Sequence, residues 1–272
     1  MTWYPAPGKL NLFLHVLARR PDGYHELQTA FRLIDRCDRV GIAPRSDGKL
    51  GFEGIFGEQN LCLRAARLLQ RETGAALGAE LRLEKGLPIG GGLGGGSSDA
   101  ATVLLVLNRL WQTRLSREDL MEIGLRLGAD VPFFIYGRNA LGEGVGERLA
   151  ALELPRAWYL VLVPQVSVST RETFASALTG GSKRLKIPPF FPGQGRNDLE
   201  AVVTARYPEV AARLAWLKQR CPQARMTGSG ACVFAEFETR AQADAVQSQL
   251  PGGTGGFVAQ GLERHPLHDW AD

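Results

Sequence analysis

From residue 9 to residue 16 the chain alternates. Leu10, Leu12, Leu14 and Val16 fall on one side, and Lys9, Asn11, Phe13 and His15 on the other. A period of two predicts a β-strand, and it places Lys9 and Asn11 on one face. Pro21-Asp22-Gly23 is a turn signal, followed directly by Tyr24-His25. Apolar stretches near 27–35 and 39–43 predict further strands. Asn60 caps a predicted helix over about 61–73. Residues 79–84 alternate again, as a strand, and 99–110 is strongly helical. Ser116 with Asp119 three residues on resembles a capping box. It opens a helix to about Leu127, which Gly128 ends.

Residues 133–150 combine an apolar segment with Gly142, Gly144 and Gly146. The pattern restarts around 152–156, and 158–163 has the character of a buried strand. Ser169 and Glu172 form another capping-box pattern. Residues 180–196, rich in Gly, Pro and Lys, predict a loop. A long helix is expected from about Asp198 to Arg220. A strand, the turn Gly228-Ser229-Gly230, another strand, a helix over about 240–250 and a strand near 256–262 complete the chain. No internal repeat is visible, and a domain boundary is expected near residue 153.

Composition narrows the class. With 272 residues, 44% of them hydrophobic and 22% charged, the chain can bury one large core or two modest ones. Its four cysteines include no CxxC pair, so neither a disulfide framework nor a zinc site is expected. The N-terminus reads as a strand rather than a leader peptide, and no apolar run approaches the length of a membrane span. A cytoplasmic enzyme with no membrane partner is the expectation. The net charge of +4 suits an anionic substrate, and without blocks of like charge nucleic-acid binding is not expected.

The sharpest chemical signal is Pro88-Ile89-Gly90-Gly91-Gly92-Leu93-Gly94-Gly95-Gly96-Ser97-Ser98, which opens directly into a helical pattern. Such backbone can approach a ligand closely. A helix N-terminus adds unpaired N–H groups and partial positive charge, so the combination is a phosphate cradle. A flexible linker would not sit between a strand and an apolar helix. A dinucleotide-binding fold would need a strand and an acidic residue about 20 residues further on, where this chain is helical. A Walker A loop would need Lys after the last glycine, and no protein-kinase HRD or DFG signature is present.

This loop resembles that of the GHMP kinases, a superfamily of small-molecule kinases. Its two companion motifs have counterparts in Pro7-Gly8-Lys9-Leu10-Asn11-Leu12 and in Thr227-Gly228-Ser229-Gly230-Ala231. The segments 6–14, 20–27, 128–134 and 142–147 narrow the likeness, which covers nearly the whole chain. They resemble the branch that phosphorylates a hydroxyl of a cytidine diphosphate-linked alcohol on a route to isoprenoid precursors. The resemblance implies an α+β fold of two domains, 1–153 binding ATP and 154–272 adding one wall of the substrate site, with the active site in the cleft between them.

The resemblance also implies roles. Asp130 becomes the catalytic base, although an Asp between Gly-Ala and Val-Pro is by itself more often a helix cap. Lys9 becomes its partner and helps neutralise charge on the phosphoryl group, where a lone strand lysine is usually a solvated edge residue. Residues 88–98 bind ATP. Asn11, Tyr24, His25, Thr170, Phe174, Gly228, Ser229 and Gly230 bind substrate, with Tyr24 and Phe174 on opposite faces of the cytosine. For Phe174 helix packing is an equal reading, and for 228–230 a plain tight turn. Mg²⁺ is expected to arrive with ATP, and no metal-ligand cluster stands out. His265 and His268 carry no assignment. Two other readings stay open: a different GHMP kinase, acting on mevalonate or homoserine, and a nucleotide-binding regulator without catalysis.

Overall fold

The computed structural model describes residues 1–176 and 195–271. The predicted loop over 180–196 therefore lies almost entirely outside the described residues. Ten strands occur among them: β1 (Thr2–Arg19), β2 (His25–Arg45), β3 (Leu50–Glu53), β4 (Gly78–Glu84), β5 (Ala140–Gly144), β6 (Arg148–Ala151), β7 (Trp158–Val163), β8 (Arg225–Met226), β9 (Val233–Phe237) and β10 (Gly255–Leu262). The helices are α1 (Leu61–Thr73), α2 (Gly95–Leu110), α3 (Arg117–Leu125), α4 (Val131–Tyr136), α5 (Thr170–Ala175), α6 (Glu200–Arg206), α7 (Pro208–Lys218) and α8 (Arg240–Gln247).

β1 and β2 form a long antiparallel hairpin about the turn at residues 20–24. The alternation in β1 is real, yet both of its faces are covered: Lys9 through Val16 are all buried. β2 is one strand where the apolar pattern suggested two. It pairs with β1 on both sides of a register shift that leaves Asp35 and Arg36 without ladder partners, with β5 over residues 27–31 and with β4 over residues 39–45, so the strand continues past its polar middle. β10 joins the two halves of the sheet. Its start pairs with β7, and Gly261 and Leu262 pair with Ile34 and Leu33 of β2.

One hydrophobic core lies between the β1/β2/β4 face and α1, α2 and α4. A second lies between β7–β9 and α6 and α7. A third, built from Leu10, Phe13, Ile34, Leu93, Tyr159 and Phe234, fills the junction. α2 runs through the middle of the first core, with every residue from Ser98 to Asn108 buried. A helix that is apolar all round belongs inside.

The helix caps follow the sequence closely. Asn60 accepts from the Cys62 N–H at 2.8 Å, and Ser116 and Asp119 form the reciprocal box that opens α3. At Ser169 only one leg forms, the Glu172 N–H donating to its hydroxyl. The long helix expected over 198–220 is two helices. Pro208 disfavours the α conformation in the residue before it, and Tyr207 is extended, with φ −121° and ψ 91°.

Candidate active site

Lys9 sits in the middle of β1 with its ammonium buried. Its Nζ donates to Asn11 Oδ1 at 2.6 Å and lies 3.3 Å from Asp130 Oδ2. It also stands 5.6 Å over the Phe31 ring. Asn11 in turn donates from Nδ2 to Thr29 Oγ1 at 2.8 Å. Alternation places Lys9 and Asn11 side by side, and neighbouring strands fix their rotamers. Asp130 occupies the N-cap position of α4, but its carboxylate makes no capping bond. It faces Lys9 instead.

The glycine loop is strung between three neighbours. The Lys9 N–H donates to Leu93 O. Ala231 N–H and Cys232 N–H donate to Gly90 O and Gly91 O, and the Thr227 hydroxyl donates to Gly92 O at 3.4 Å. Gly90, Gly92 and Gly94 all have φ near +70°. A Cβ on Gly92 would come within 2.3 Å of Thr227 O, so only glycine fits. α2 then opens at Gly95, presenting its first N–H groups to the cavity.

That cavity has a volume of about 500 Å³ and is lined by Lys9, Asn11, the loop from Pro88 to Ser97, Asp130, Thr170, Phe174 and the turn Gly228–Gly230. The sequence motifs, spread over more than 200 residues, thus converge on one space. Thr170 Oγ1 and Ser229 Oγ share a hydrogen bond of 2.8 Å across it. Asn197 supports the turn from behind, donating to Met226 O and Gly228 O at 2.8 Å each.

The placement of the aromatic residues differs from the expected arrangement. Tyr24 is 61% exposed at the hairpin turn and does not line the cavity. The ring that meets Phe174 is His25, with centroids 5.4 Å apart and planes at 32°. His25 is buried, and burial with Arg19 nearby pushes its pKa below the ordinary value. Its imidazole is thus neutral near pH 7, with one donor and one acceptor nitrogen.

A further cluster has no local signature in the sequence. Ile55, Phe56, Asn60, Leu61, Leu83 and Lys85 also line the cavity. The Lys85 ammonium lies between the buried carboxylates Asp38 and Asp99, bonded to the first and 3.0 Å from the second. Asp38 also accepts the Gly86 and Leu87 N–H groups. Burial and the Asp38 charge outweigh the pull of Lys85 and raise the Asp99 pKa to about 7. Burial opposes the Lys85 charge, but the two carboxylates outweigh it and lift its pKa. These three residues are 14 and 47 positions apart, so no local pattern joins them.

Residues 60–138 match the N-terminal domain of the GHMP kinases, and residues 192–253 match the C-terminal one. The chain is 56% identical to a 4-diphosphocytidyl-2-C-methyl-D-erythritol kinase of Nitrosospira multiformis, over 98% of this chain and 94% of the relative. It is also 56% identical to one of Thiobacillus denitrificans, over 98% of each chain. A crystal structure of 4-(cytidine 5'-diphospho)-2C-methyl-D-erythritol kinase superposes with a TM-score of 0.85 at 35% identity, covering 96% of this chain and 99% of that one. Mevalonate kinase from Methanococcus jannaschii shares the fold, with a TM-score of 0.68 at 13% identity over 96% of this chain and 98% of the other.

Proposed function

Because this chain belongs to the GHMP kinase family, we propose that it transfers the γ-phosphate of ATP to the 2-hydroxyl of 4-diphosphocytidyl-2-C-methyl-D-erythritol, on the non-mevalonate route to isoprenoid precursors. The relatives' shared name over nearly the full chain supports this acceptor. The observation that carries the chemistry is the Lys9–Asp130 pair facing the glycine loop inside one cavity.

In this reading the adenine enters between Ile55, Phe56, Leu61 and Leu83, and the phosphates lie along residues 88–97 at the N-terminus of α2, while Ser98, expected to bind ATP as well, is fully buried outside the cavity lining. The acceptor enters from the side of Thr170, Phe174 and Gly228–Gly230. Its cytosine stacks on Phe174, with the His25 nitrogens reading its polar edge and Tyr24 at the solvent side. Phosphoryl transfer asks the protein mainly to position the reactants and stabilise charge. Asp130 takes the proton of the 2-hydroxyl, and Lys9, held by Asn11, offsets charge on the moving phosphoryl group. The α2 N–H groups hold the phosphates in line. A division into domains near residue 153 belongs to the same proposal, supported by the gap between β6 and β7.

ATP implies Mg²⁺. Among the described residues no group of three or more His, Cys, Asp or Glu could hold a metal. Mg²⁺ needs no such cage, because it keeps several waters and binds through one or two carboxylates plus substrate phosphates. The Ser97 hydroxyl in the first turn of α2, which lines the cavity, together with the nucleotide's own oxygens would meet that demand and leave Asp130 to Lys9 and the acceptor hydroxyl, and the ion would neutralise phosphate charge. No helix among the described residues is long and apolar enough to cross a membrane.

The test is coupled ADP release with three acceptors: the cytidyl compound, mevalonate and homoserine. The proposal predicts turnover with the first alone. Preferential turnover of mevalonate or homoserine would assign the chain to another branch of the family, and none with any acceptor would leave a nucleotide-binding protein without kinase activity.

A further inference from the structure

α4 is six residues long, yet it touches each part of the reaction site. Asp130 stands at its start, 3.3 Å from the Lys9 ammonium. Phe133 stacks on Phe31, with centroids 4.5 Å apart, beneath that ammonium. Phe134 lies so close to Gly94 that a Cβ there would meet its ring at 2.9 Å. The seat of this short helix therefore fixes where the Asp130 carboxylate points.

The far end of α4 is held by residues remote from the cavity. Arg117, at the start of α3, donates from Nη1 to Ile135 O at 2.7 Å and to Tyr136 O at 3.3 Å. Its Nη2 donates to His268 O at 2.6 Å. The guanidinium thus joins the last carbonyls of α4 to the C-terminal segment of the chain. That segment adds its own ties. The His265 N–H donates to Gly137 O at 2.9 Å, and Arg138 Nε donates to His268 Nε2 at 3.2 Å. Gly137 ends α4 with φ +71°, and a Cβ on it would come within 2.7 Å of His268 Nδ1. The segment is anchored in turn, with Leu267 and Ala271 buried and Trp270 edge-on to Tyr4 at 5.3 Å.

We propose that Arg117 is a positioning residue for phosphoryl transfer, clamping the C-terminal end of α4 to residues 265–268 so that Asp130 stays in register with Lys9. The inference rests on the reading of Asp130 as the base. Carbonyl groups at a helix C-terminus lack intrahelical partners and attract cations. Only a planar fork reaches three carbonyls from two sides at once, so lysine is not an equivalent. A local displacement of about 1 Å at a reacting group can cost about 100-fold in rate, even when the mutation lies far from the chemistry.

The experiment is a double-mutant cycle on the full chain with Arg117→Lys, Asp130→Asn and the double variant, read by coupled ADP release. Arg117→Lys keeps the charge and the stem, so the test stays readable if Arg117→Ala does not fold. Wild-type nucleotide affinity by calorimetry establishes that each variant is folded. The expected result for Arg117→Lys is a kcat reduced about tenfold or more, with both KM values within about twofold of wild type. In the Asp130→Asn background the same substitution should cost nothing further, because both act through one carboxylate. Wild-type kcat in folded Arg117→Lys, or a loss that multiplies with that of Asp130→Asn, would overturn the proposal. Wild-type turnover in Asp130→Asn alone is a different failure: it would remove the base reading first and the clamp with it.

Discussion

Asp130 could not be assigned from its residue type. An aspartate opening a helix is ordinarily a cap, and Asp130 does stand at the cap position of α4, but without a capping hydrogen bond. Its carboxylate is turned to Lys9, 121 residues earlier in the chain, and no local pattern encodes that contact. Lys9 and Asn11 were legible, because strand alternation alone puts them on one face and the structure joins them at 2.6 Å. The residues proposed to hold the cytosine were legible only in part. Phe174 lines the cavity; neither Tyr24 nor His25 does, although the His25 ring meets Phe174 at 5.4 Å. Aromatic stacking is worth about 1–3 kcal/mol per base in single-strand binders, the nearest analogue. Phe174→Ala should therefore raise KM for the cytidyl substrate about tenfold or more, with KM for ATP nearly unchanged. Tyr24→Ala should have the smaller effect, since that ring is mostly in solvent. Steady-state kinetics of the two variants checks the order, and a larger effect at Tyr24 would reverse the assignment.

At the scale of elements, caps and glycines read well and strand extents did not. Asn60 and Ser116 cap α1 and α3 where side-chain chemistry places them, since a cap is a contact within three residues, whereas α2 begins at Gly95, four residues before the expected start and without a side-chain cap. The apolar pattern breaks at the polar middle of β2, while the strand itself runs on because β1 pairs with it on both sides of that break. The break at Tyr207 is legible in Pro208, although the apolar period runs through it. The glycine loop carries a sharper test. Gly92 has φ +76°, and a Cβ there would meet the Thr227 carbonyl. Gly92→Ala should cost about 1–3 kcal/mol of stability in urea unfolding, the scale of a residue forced into a rare backbone conformation. It should weaken nucleotide binding as well, because the Gly92–Thr227 contact holds loop and turn together. A variant with wild-type stability and affinity would mean that the loop accommodates a side chain unaided.

At the scale of the whole molecule, two buried groups, His265 behind α4 and Asp99 beside Lys85, set opposing pH dependences. Burial, with His268 and Arg117 nearby, lowers the His265 pKa to about 3 from an ordinary 6.5. Below pH 6.5 the unfolded chain binds a proton that buried His265 refuses, so its contribution to stability is lost as pH falls. Asp99 runs the other way. Raised from 3.8 to about 7, it holds a proton that the unfolded chain releases, so stability falls as pH rises through that window. Over roughly pH 4–6.5 the two offset each other. Urea midpoints should rise with pH across that range in Asp99→Asn, fall in His265→Gln, and change less in the wild type than in either. Parallel profiles in all three would show that neither group titrates as its burial demands. Neither residue was readable, because His265 is buried only by the return of the C-terminal segment to α4, and Asp99 by its place in a helix covered on all sides.

The central claim, transfer of phosphate to the 2-hydroxyl of a cytidyl-linked methylerythritol, has a direct readout in the product. Carbon 2 of that substrate carries a methyl group and no hydrogen. After turnover with one equivalent of ATP, proton-coupled phosphorus NMR should show one new phosphomonoester signal, unsplit by any carbinol proton, beside the intact diphosphate pair. A doublet or triplet would place the phosphate on a neighbouring secondary or primary hydroxyl, and the absence of a new monoester alongside ADP would mean hydrolysis rather than transfer; either result would contradict the account.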